Sequence, residues 1–297
     1  MTKSGKISIE MNNDRTLLFV GAHPDDESFG PGATLAHYAR LGVKVYVACA
    51  TRGEAGTIDP QFFMSGLATT GDVRWGELQC AGKALGLSGI FHLGYRDSGM
   101  AGSLDNNNPQ ALYNAPTDQV AARIIKIIRE VKPQVVLTHD PHGDYGHPDH
   151  IAVHKATVAA FYASGNPKLY HEAGTPFRPS KLYYNVFPRG LLKILVRILP
   201  LLGQNPKKFG RNKDIDLTTL VGGIMPVNAV IKLERTAVRA KDAASSCHRS
   251  QLAGGGGPPR RGLLSLLGLL LGRKDSFTKA FPEPGGRRES DLFEGLI

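Results

Sequence analysis

Two short segments rich in histidine and aspartate could bind a metal ion. The first is residues 23–27, His-Pro-Asp-Asp-Glu, which directly follow the apolar run 16–22. The second is residues 139–150, which contain four histidines and three aspartates and follow the apolar run 134–138. Open α/β sheets place their chemistry at the carboxyl ends of their strands. The two segments therefore predict the two halves of one metal site.

The types and spacing of these residues suit catalytic zinc. Such zinc takes three ligands from histidine and carboxylate and leaves one position for water, whose pKa the metal lowers. His23 and Asp26 lie three residues apart, so a helical turn would put them on the same side. His150 is the natural third ligand. This ligand set also admits iron or cobalt.

The remaining polar residues of the two segments have other predicted roles. Asp25 points away from the ligands and is free to hold the water as a general base, and His147 is left for proton transfer or for stabilising an oxyanion. In the alternative interpretation, either aspartate of the first segment caps a helix that begins near Ser28. His139 and His142 would then be loop histidines bonded to backbone.

The two motifs resemble those of the LmbE-like family of zinc-dependent deacetylases. This family includes the phosphatidylinositol-glycan class L (PIG-L) de-N-acetylases and thiol-cofactor deacetylases of bacteria. Residues 22–27 resemble its first motif and residues 146–150 its second. Further segments that look like the family are 51–56, 74–78, 93–100, 248–251 and 291–296.

The resemblance implies the same metal ligands, general base and oxyanion role, with His147 as an alternative proton donor to the departing amine. It also implies a role for Asp149 in tuning a neighbouring imidazole.

The resemblance further suggests substrate contacts. Arg74 and Asp97 match positions that hold the hydroxyls of an N-acetylglucosamine ring, although they could instead form an ordinary surface ion pair. Tyr145 matches a mobile tyrosine beside the site, and Glu54 is expected to line it.

The resulting hypothesis is a zinc-dependent hydrolase that removes acetate from an N-acetylglucosamine unit, whether free, inositol-linked or lipid-linked. One alternative is an amidase that cleaves a mycothiol-like thiol-cofactor conjugate. Another is a non-catalytic metal- or sugar-binding module, which would be free to replace Asp25 and His147. No motif that combines basic and aromatic residues supports nucleic-acid binding.

Strands and helices alternate along the first half of the chain. The predicted strands are 16–22, 43–48, 90–93, 135–137 and 182–187. The predicted helices are 28–41, 71–85, 118–131 with Thr117 as its cap, 151–163 and 230–245. This alternation predicts an α/β fold with a Rossmann-like, mostly parallel sheet covered by helices on both faces. No glycine-rich dinucleotide fingerprint follows the first strand, which argues against a nucleotide cofactor.

The second half of the chain carries all of the net charge of +10. Residues 189–297 contain 19 Lys and Arg against 9 Asp and Glu, whereas residues 1–188 contain 17 of each. We expect a polar N-terminal segment (1–15) and one deacetylase domain (16–297) with insertions near 190–213 and 253–274. The leucine-rich runs 191–202 and 263–271 have basic residues within or beside them. They could pack on the domain, join subunits of a homo-oligomer, or bind an anionic membrane peripherally.

The three cysteines are scattered and include no Cys-x-x-Cys pair. They predict no disulfide framework, and hence a reducing cytoplasm. No apolar run reaches the length of a membrane span, so we expect a soluble or peripheral protein. Cys49 is expected to be a small core residue within a strand.

Overall fold

The computed structural model describes residues 15–63, 69–186, 194, 196–208, 216–218, 225–252 and 273–296. Its centre is a seven-stranded sheet in the order β3-β2-β1-β4-β5-β7-β6. The strands are β1 (Thr16–Gly21), β2 (Lys44–Cys49), β3 (Gly89–His92), β4 (Val135–Thr138), β5 (Lys181–Val186), β6 (Ala229–Lys232) and β7 (Lys274–Phe281). Among these described strands, only β7 runs antiparallel to the rest. The predicted mostly parallel α/β sheet is confirmed.

Helices cover both faces of this sheet. They are α1 (Asp26–Phe29), α2 (Gly32–Arg40), α3 (Thr70–Leu85), α4 (Thr117–Val131), α5 (Pro148–Ala163) and α6 (Arg235–Cys247). The helices α2, α3 and α6 share one hydrophobic core with the sheet, and α4 and α5 share the other.

Strand β1 lies at the centre of the arrangement. Its residues alternate between the two cores, with Leu17 and Phe19 in one and Leu18 and Val20 in the other. It pairs in parallel with β2 on one side and β4 on the other. The next strands along the chain, β2 and β3, lie on one side of β1, whereas β4 lies on its other side. Such a topological switch point leaves a crevice at the carboxyl ends of β1 and β4. The His- and Asp-rich segments follow β1 and β4 and therefore meet in this crevice.

The single helix predicted over residues 28–41 is instead two helices. The first ends at Phe29, and the second begins at Gly32 with Pro31 as its N-cap. Proline has no N–H to continue the hydrogen-bond ladder, and its ring clashes with the preceding turn. The break leaves α1 as a short turn that carries Asp26.

Three other element predictions need correction. Thr117 is the first residue of α4 and not its cap, because Pro116 occupies the N-cap position. The helix α5 begins at Pro148, three residues earlier than predicted. The helix predicted from Val230 begins only at Arg235, since the preceding residues 229–232 pair with β7 as an edge strand.

The prediction about the cysteines is partly wrong. Cys80 on α3 and Cys247 at the end of α6 form a disulfide across 167 residues of sequence, because these two helices pack together. Cys49 is a free and buried core residue, as predicted. The disulfide removes the argument from which a cytoplasmic location was predicted, so that location stays a prediction.

The second proposed insertion lies largely outside the described residues, as does the whole run 263–271, and the first is described at 194 and 196–208. Of the first leucine-rich run, Ile198 and Leu201 are exposed and Leu199 is buried. Within the described part of the chain, no helix has the length and hydropathy to cross a membrane. The domain boundaries, self-association and membrane contact remain predictions.

Candidate metal centre

The three predicted ligands converge at the carboxyl edge of β1 and β4. Asp26 is the first residue of α1, and His150 lies in the first turn of α5. His23 Nδ1 lies 3.3 Å from His150 Nε2. Asp26 places Oδ1 3.4 Å from His150 Nε2 and Oδ2 4.0 Å from His23 Nδ1. Two imidazoles and one carboxylate thus surround a single point.

Each of the two histidines has a carboxylate on the ring nitrogen that faces away from this point. These carboxylates determine the tautomer of each ring. His23 Nε2 lies 3.2 Å from Asp149 Oδ2, and His150 Nδ1 lies 2.8 Å from Asp144 Oδ2. An ionised carboxylate only accepts hydrogen bonds, so each of these ring nitrogens carries the proton. In neutral rings, the two nitrogens that face each other therefore present lone pairs. Two lone pairs and a carboxylate around one point fit a bound cation.

Further donors adjoin this set, so the metal pocket is surrounded by ligand-type atoms. His147 lies with His23 and His150 in one group whose donors are within 4.8 Å of one another. Asp26, His139 and His150 form a second such group, and His23, Asp97 and Asp149 a third. His23, Asp26 and His150 remain the predicted ligands. Asp97 and Asp149 contact Nε2 of His23, whereas its Nδ1 faces His150.

Asp25 lies beside the metal ligands without joining them. Its carboxylate accepts a hydrogen bond from Arg74 Nη2 at 3.1 Å. Burial raises the pKa of Asp25 to about 6, although the neighbouring guanidinium opposes the shift. Asp25 makes no side-chain cap on α1, and Asp26 accepts from the backbone N–H groups of Ala22 and His23, ahead of the helix. The helix-capping alternative is therefore wrong.

His147 caps α5 and offers a ring nitrogen within 4.8 Å of ring nitrogens of His23 and His150. Its Nδ1 accepts the backbone N–H of Asp149 at 3.1 Å, so the proton of the neutral ring is on Nε2. Burial, followed by the nearby His23, lowers the pKa of His147 well below its usual value. Its ring centroid lies 4.5 Å from that of His23. His147 is thus a neutral imidazole with one N–H available to an oxygen atom in the crevice.

Asp149 is fully buried and contacts the predicted metal ligand His23. Besides its contact with His23, it accepts hydrogen bonds from the backbone N–H of Ser98, at 2.9 Å, and from the hydroxyl of the same residue. The resemblance implied that Asp149 tunes a neighbouring imidazole, and the imidazole that it contacts is that of His23. Partners of this kind fix ring orientation and raise ligand basicity.

Arg74 and Asp97 form an ion pair, with Arg74 Nη1 3.9 Å from Asp97 Oδ2. Each residue is only 4 % exposed, so this is a buried pair and not the surface pair of the alternative interpretation. The guanidinium of Arg74 donates to the carbonyl oxygens of Gly53 and Pro24 and to the Asp25 carboxylate. Asp97 Oδ1 lies 3.4 Å from His23 Nε2. Both residues thus contact the metal centre, and their contact with a sugar ring stays a prediction.

Glu54 and Tyr145 also lie at the site. Glu54 Oε2 accepts the backbone N–H of Asp97 at 3.0 Å. The half-buried Tyr145 ring lies 5.2 Å from the ring of His150. Their roles toward substrate remain predictions.

A polar cavity of about 550 Å³ lies beside Glu54. Its wall includes the loop 94–96, residues 109–111 and the start of α4. Its polar side chains are those of Arg52, Glu54, His92, Tyr95, Arg96, Gln110, Asn114, Gln119 and Arg123.

Sequence reasoning missed several residues that support the site. Asp144 bridges two histidines, because its Oδ2 lies 2.6 Å from His139 Nδ1 and 2.8 Å from His150 Nδ1. His139, which we took as a possible loop histidine, stacks on His150 with centroids 3.9 Å apart. Their position inside the second histidine-rich segment was the available signal. Two further supports, Ser98 and the pair Glu27–His248, lie in segments that resemble the family, but their roles depend on long-range contacts.

The chain is similar to known deacetylases over nearly its whole length. Residues 18–161 match the PIG-L family model, described as GlcNAc-PI de-N-acetylase. The chain is 37% identical over 300 residues to the 1D-myo-inositol 2-acetamido-2-deoxy-alpha-D-glucopyranoside deacetylase of Thermomonospora curvata, covering 96% of this chain and 98% of that protein. It is 36% identical over 293 residues to the enzyme of that name from Streptomyces avermitilis, covering 95% and 98%.

Solved structures support the fold. The conserved protein TT1542 from Thermus thermophilus matches with a TM-score of 0.56 and 23% identity, over 91% of this chain and 95% of that one. The N,N'-diacetylchitobiose deacetylase from Pyrococcus horikoshii matches with a TM-score of 0.59 and 20% identity, over 91% and 87%.

The relatives and the family model make the chain a hydrolase of amide C–N bonds, and its cluster of histidines and aspartates fits metal binding. The chain belongs to the PIG-L, or LmbE-like, family of deacetylases. The predicted family and the predicted metal-dependent N-deacetylase class are confirmed.

Proposed function

We propose that this enzyme removes the acetyl group from N-acetylglucosamine joined to inositol, with zinc as its metal. The observation that carries the chemistry is the convergence of His23, Asp26 and His150, with Asp25 and His147 beside them. The observation that favours the substrate is the near full-length similarity to relatives named as deacetylases of an acetamido-sugar linked to inositol.

His23, Asp26 and His150 would hold the metal. When bound, zinc lowers the pKa of water and polarises a carbonyl oxygen. Two nitrogen ligands and one carboxylate are a common zinc set, although iron also accepts it. Asp149 and Asp144 keep the two imidazoles in the tautomers that binding requires.

The neighbouring residues supply proton transfer and charge stabilisation. Asp25 accepts a proton from the attacking water, since it lies next to the ligands without sharing their role. The Nε2–H of His147 donates a hydrogen bond to the amide oxygen as that oxygen gains negative charge. Either residue can then deliver the proton that the departing amine needs.

The polar cavity beside Glu54 suits the inositol part of this substrate. A ring with several hydroxyls needs many hydrogen-bond partners, and side chains that both donate and accept line this space. The sugar ring would lie between the metal centre and the cavity. Glu54 lines the cavity and accepts the backbone N–H of Asp97, which lies at the metal centre. Arg74 and Asp97 would then contact the sugar from the side of the metal centre.

Acetate release tests the proposal directly. The purified enzyme would be given the inositol-linked sugar, free N-acetylglucosamine, a lipid-linked form and a thiol-cofactor conjugate, and metal content would be measured on the same preparation. We expect the highest kcat/KM with the inositol-linked sugar and one zinc per chain. Faster cleavage of the thiol conjugate would favour the amidase alternative.

The variant Asp25→Asn serves as the control for this assay. It keeps the shape of the side chain and the metal ligands but removes the base. We expect unchanged zinc content and a fall in kcat of about 10²-fold or more, which is the usual scale for a general base. Near-normal activity of this variant would show that another group activates the water.

A further inference from the structure

The backbone of Asp25 adopts an unusual conformation. Its φ is +123° and its ψ is −23°. The other non-glycine residues with positive φ in the described chain, Lys132, Asp144 and Tyr170, have values of 50–59°, in the ordinary left-handed region. Asp25 lies outside that region, where a side chain is disfavoured and persists only if surrounding contacts hold it.

Glu27 and the two residues after it provide those contacts. The backbone N–H of Asp25 donates to Glu27 Oε2 at 3.0 Å. The carbonyl oxygen of Asp25 accepts from the N–H groups of Ser28 and Phe29 at 2.9 and 2.8 Å. Glu27 is 1% exposed, so its charge must be balanced by partners inside the protein.

His248 is the main partner of the Glu27 carboxylate. Its Nε2 lies 2.7 Å from Glu27 Oε1, and the imidazole is fully buried. The hydroxyl of Ser28 donates to the same oxygen. The Glu27 carboxylate therefore joins the strained turn at Asp25 to a residue 221 positions later in the sequence.

His248 is fastened in turn to α3. The residue before it, Cys247, is bonded to Cys80 of that helix. Ser250, two residues later, donates from its N–H and its hydroxyl to the carboxylate of Glu77, at 2.7 Å each. The same helix carries Arg74, whose guanidinium contacts the Asp25 carboxylate. One helix thus anchors the side chain of Asp25 directly and its backbone through His248 and Glu27.

We propose that Glu27 and His248 are positioning residues, which together hold Asp25 in the strained conformation that aims its carboxylate. This inference rests on the proposed role of Asp25 as the base. Loss of the pair lets the turn relax toward an ordinary backbone conformation and moves the carboxylate away from the water. A misplacement of about 1 Å can cost on the order of 10²-fold in rate.

The test compares substitutions at His248. His248→Leu removes the hydrogen bond to Glu27, whereas the amide nitrogen of His248→Gln can occupy the place of Nε2. We expect kcat of the leucine variant to fall about 10- to 100-fold, with KM within about twofold and zinc content unchanged, because neither ligands nor sugar contacts are removed. The glutamine variant should recover most of this loss. Glu27→Gln should resemble His248→Leu, because an amide leaves one of the donors without an acceptor.

A matched control separates positioning from general destabilisation. Tyr38 is a buried residue of α2 whose hydroxyl donates to Asp291 at 2.8 Å and accepts the N–H of Leu292 at 2.7 Å. Tyr38→Phe should lower the melting temperature without changing kcat. If His248→Leu lost zinc in proportion to its activity, or behaved like the Tyr38 variant, the pair would be merely structural and the inference would be overturned.

The same assay distinguishes this inference from the proposed function. An inactive Asp25→Asn variant together with a fully active His248→Leu variant would overturn the positioning role alone. An active Asp25→Asn variant, or a wild-type enzyme that releases no acetate from any of the four substrates, would overturn the assignment of the base or the function, and the positioning role with it.

Discussion

Replacing Asp144 with asparagine should weaken metal binding although Asp144 is not a ligand. The carboxylate accepts from Nδ1 of both His139 and His150 through one oxygen, at 2.6 and 2.8 Å. Burial opposes ionisation of Asp144, but the two imidazoles outweigh it and hold the pKa of the carboxyl well below its usual value. The backbone has φ +59° at this position, which asparagine tolerates well. The substitution therefore changes charge and leaves the turn intact.

The size of the effect follows from these two hydrogen bonds. A hydrogen bond to a charged group contributes about 1.5–3 kcal/mol, against about 0.5–1.5 kcal/mol for a neutral pair. Loss of the charge thus costs roughly 1 kcal/mol for the bond to His150. A further contribution of up to about 1 kcal/mol comes through His139, which stacks on that ligand. The total of about 1–2 kcal/mol corresponds to a 5- to 30-fold weaker Kd for the metal.

The assay is a competition between the apo-enzyme and a fluorescent zinc chelator of known affinity. Asp140→Asn is the matched control, since Asp140 is a buried carboxylate of the same loop that accepts backbone N–H groups of His142 and Asp144. We expect this control to stay within about threefold of wild type, as expected for a charge not bonded to a ligand. An equal loss of zinc affinity in the two variants would show that Asp144 acts only through its negative charge and not through its hydrogen bonds to the histidines. An unchanged Kd of the Asp144 variant would refute any role in metal binding.

Three further predictions concern the ligands, the sheet and the leucine-rich segments. His150→Ala should abolish zinc binding while the circular dichroism spectrum stays folded; full metal occupancy by elemental analysis would contradict the ligand assignment. Glu289 accepts from Lys181 and Lys279 at 3.0 and 2.7 Å; burial opposes ionisation, but these donors and Tyr183 lower the pKa of Glu289. Its stabilisation is therefore present above the unfolded pKa of about 4.3 and lost as pH falls through the lower folded value. Glu289→Gln should lower the free energy of unfolding at pH 7, measured with urea, by about 1–3 kcal/mol. The difference in this free energy between variant and wild type should narrow below pH 4; a difference that does not change with pH would argue against the ionic contact. The leucine-rich segments should make the protein sediment with anionic vesicles at low salt and less so at high salt; equal recovery in the supernatant with and without vesicles would leave packing or subunit contact as their role.

The convergence of the predicted ligands could be foreseen from the sequence, because a parallel sheet brings the two segments together. Once the runs before His23 and His139 are buried parallel strands, both segments must emerge at the same edge of the sheet. The register confirms this, since Val20 pairs with Thr138. The break at Pro31 was also readable from the sequence, because proline interrupts a helix wherever it occurs in its interior.

The strand at residues 229–232 was not readable in the same way. Short apolar stretches suit either a helix or an edge strand, and pairing with β7 decides between them. The disulfide was hidden for a related reason. Nothing in the spacing of Cys80 and Cys247 indicates contact, and only the packing of α3 against α6 brings them together.

The residues of the site likewise include some that local sequence identifies and others that depend on tertiary contacts. The groups that would do chemistry lie in two short segments because a metal needs its ligands close together and on rigid backbone. Asp144 and Asp149, which orient His150 and His23, also lie in the second segment. The next layer of support comes from elsewhere: Ser98 holds Asp149, α3 supplies Arg74, and His248 holds Glu27. Ser98 lies in the loop after β3, Arg74 in α3 and His248 after α6, far in the sequence from the side chains that they hold. Sequence motifs therefore identify the reacting groups, whereas their tautomers and aim depend on contacts that only the folded chain defines.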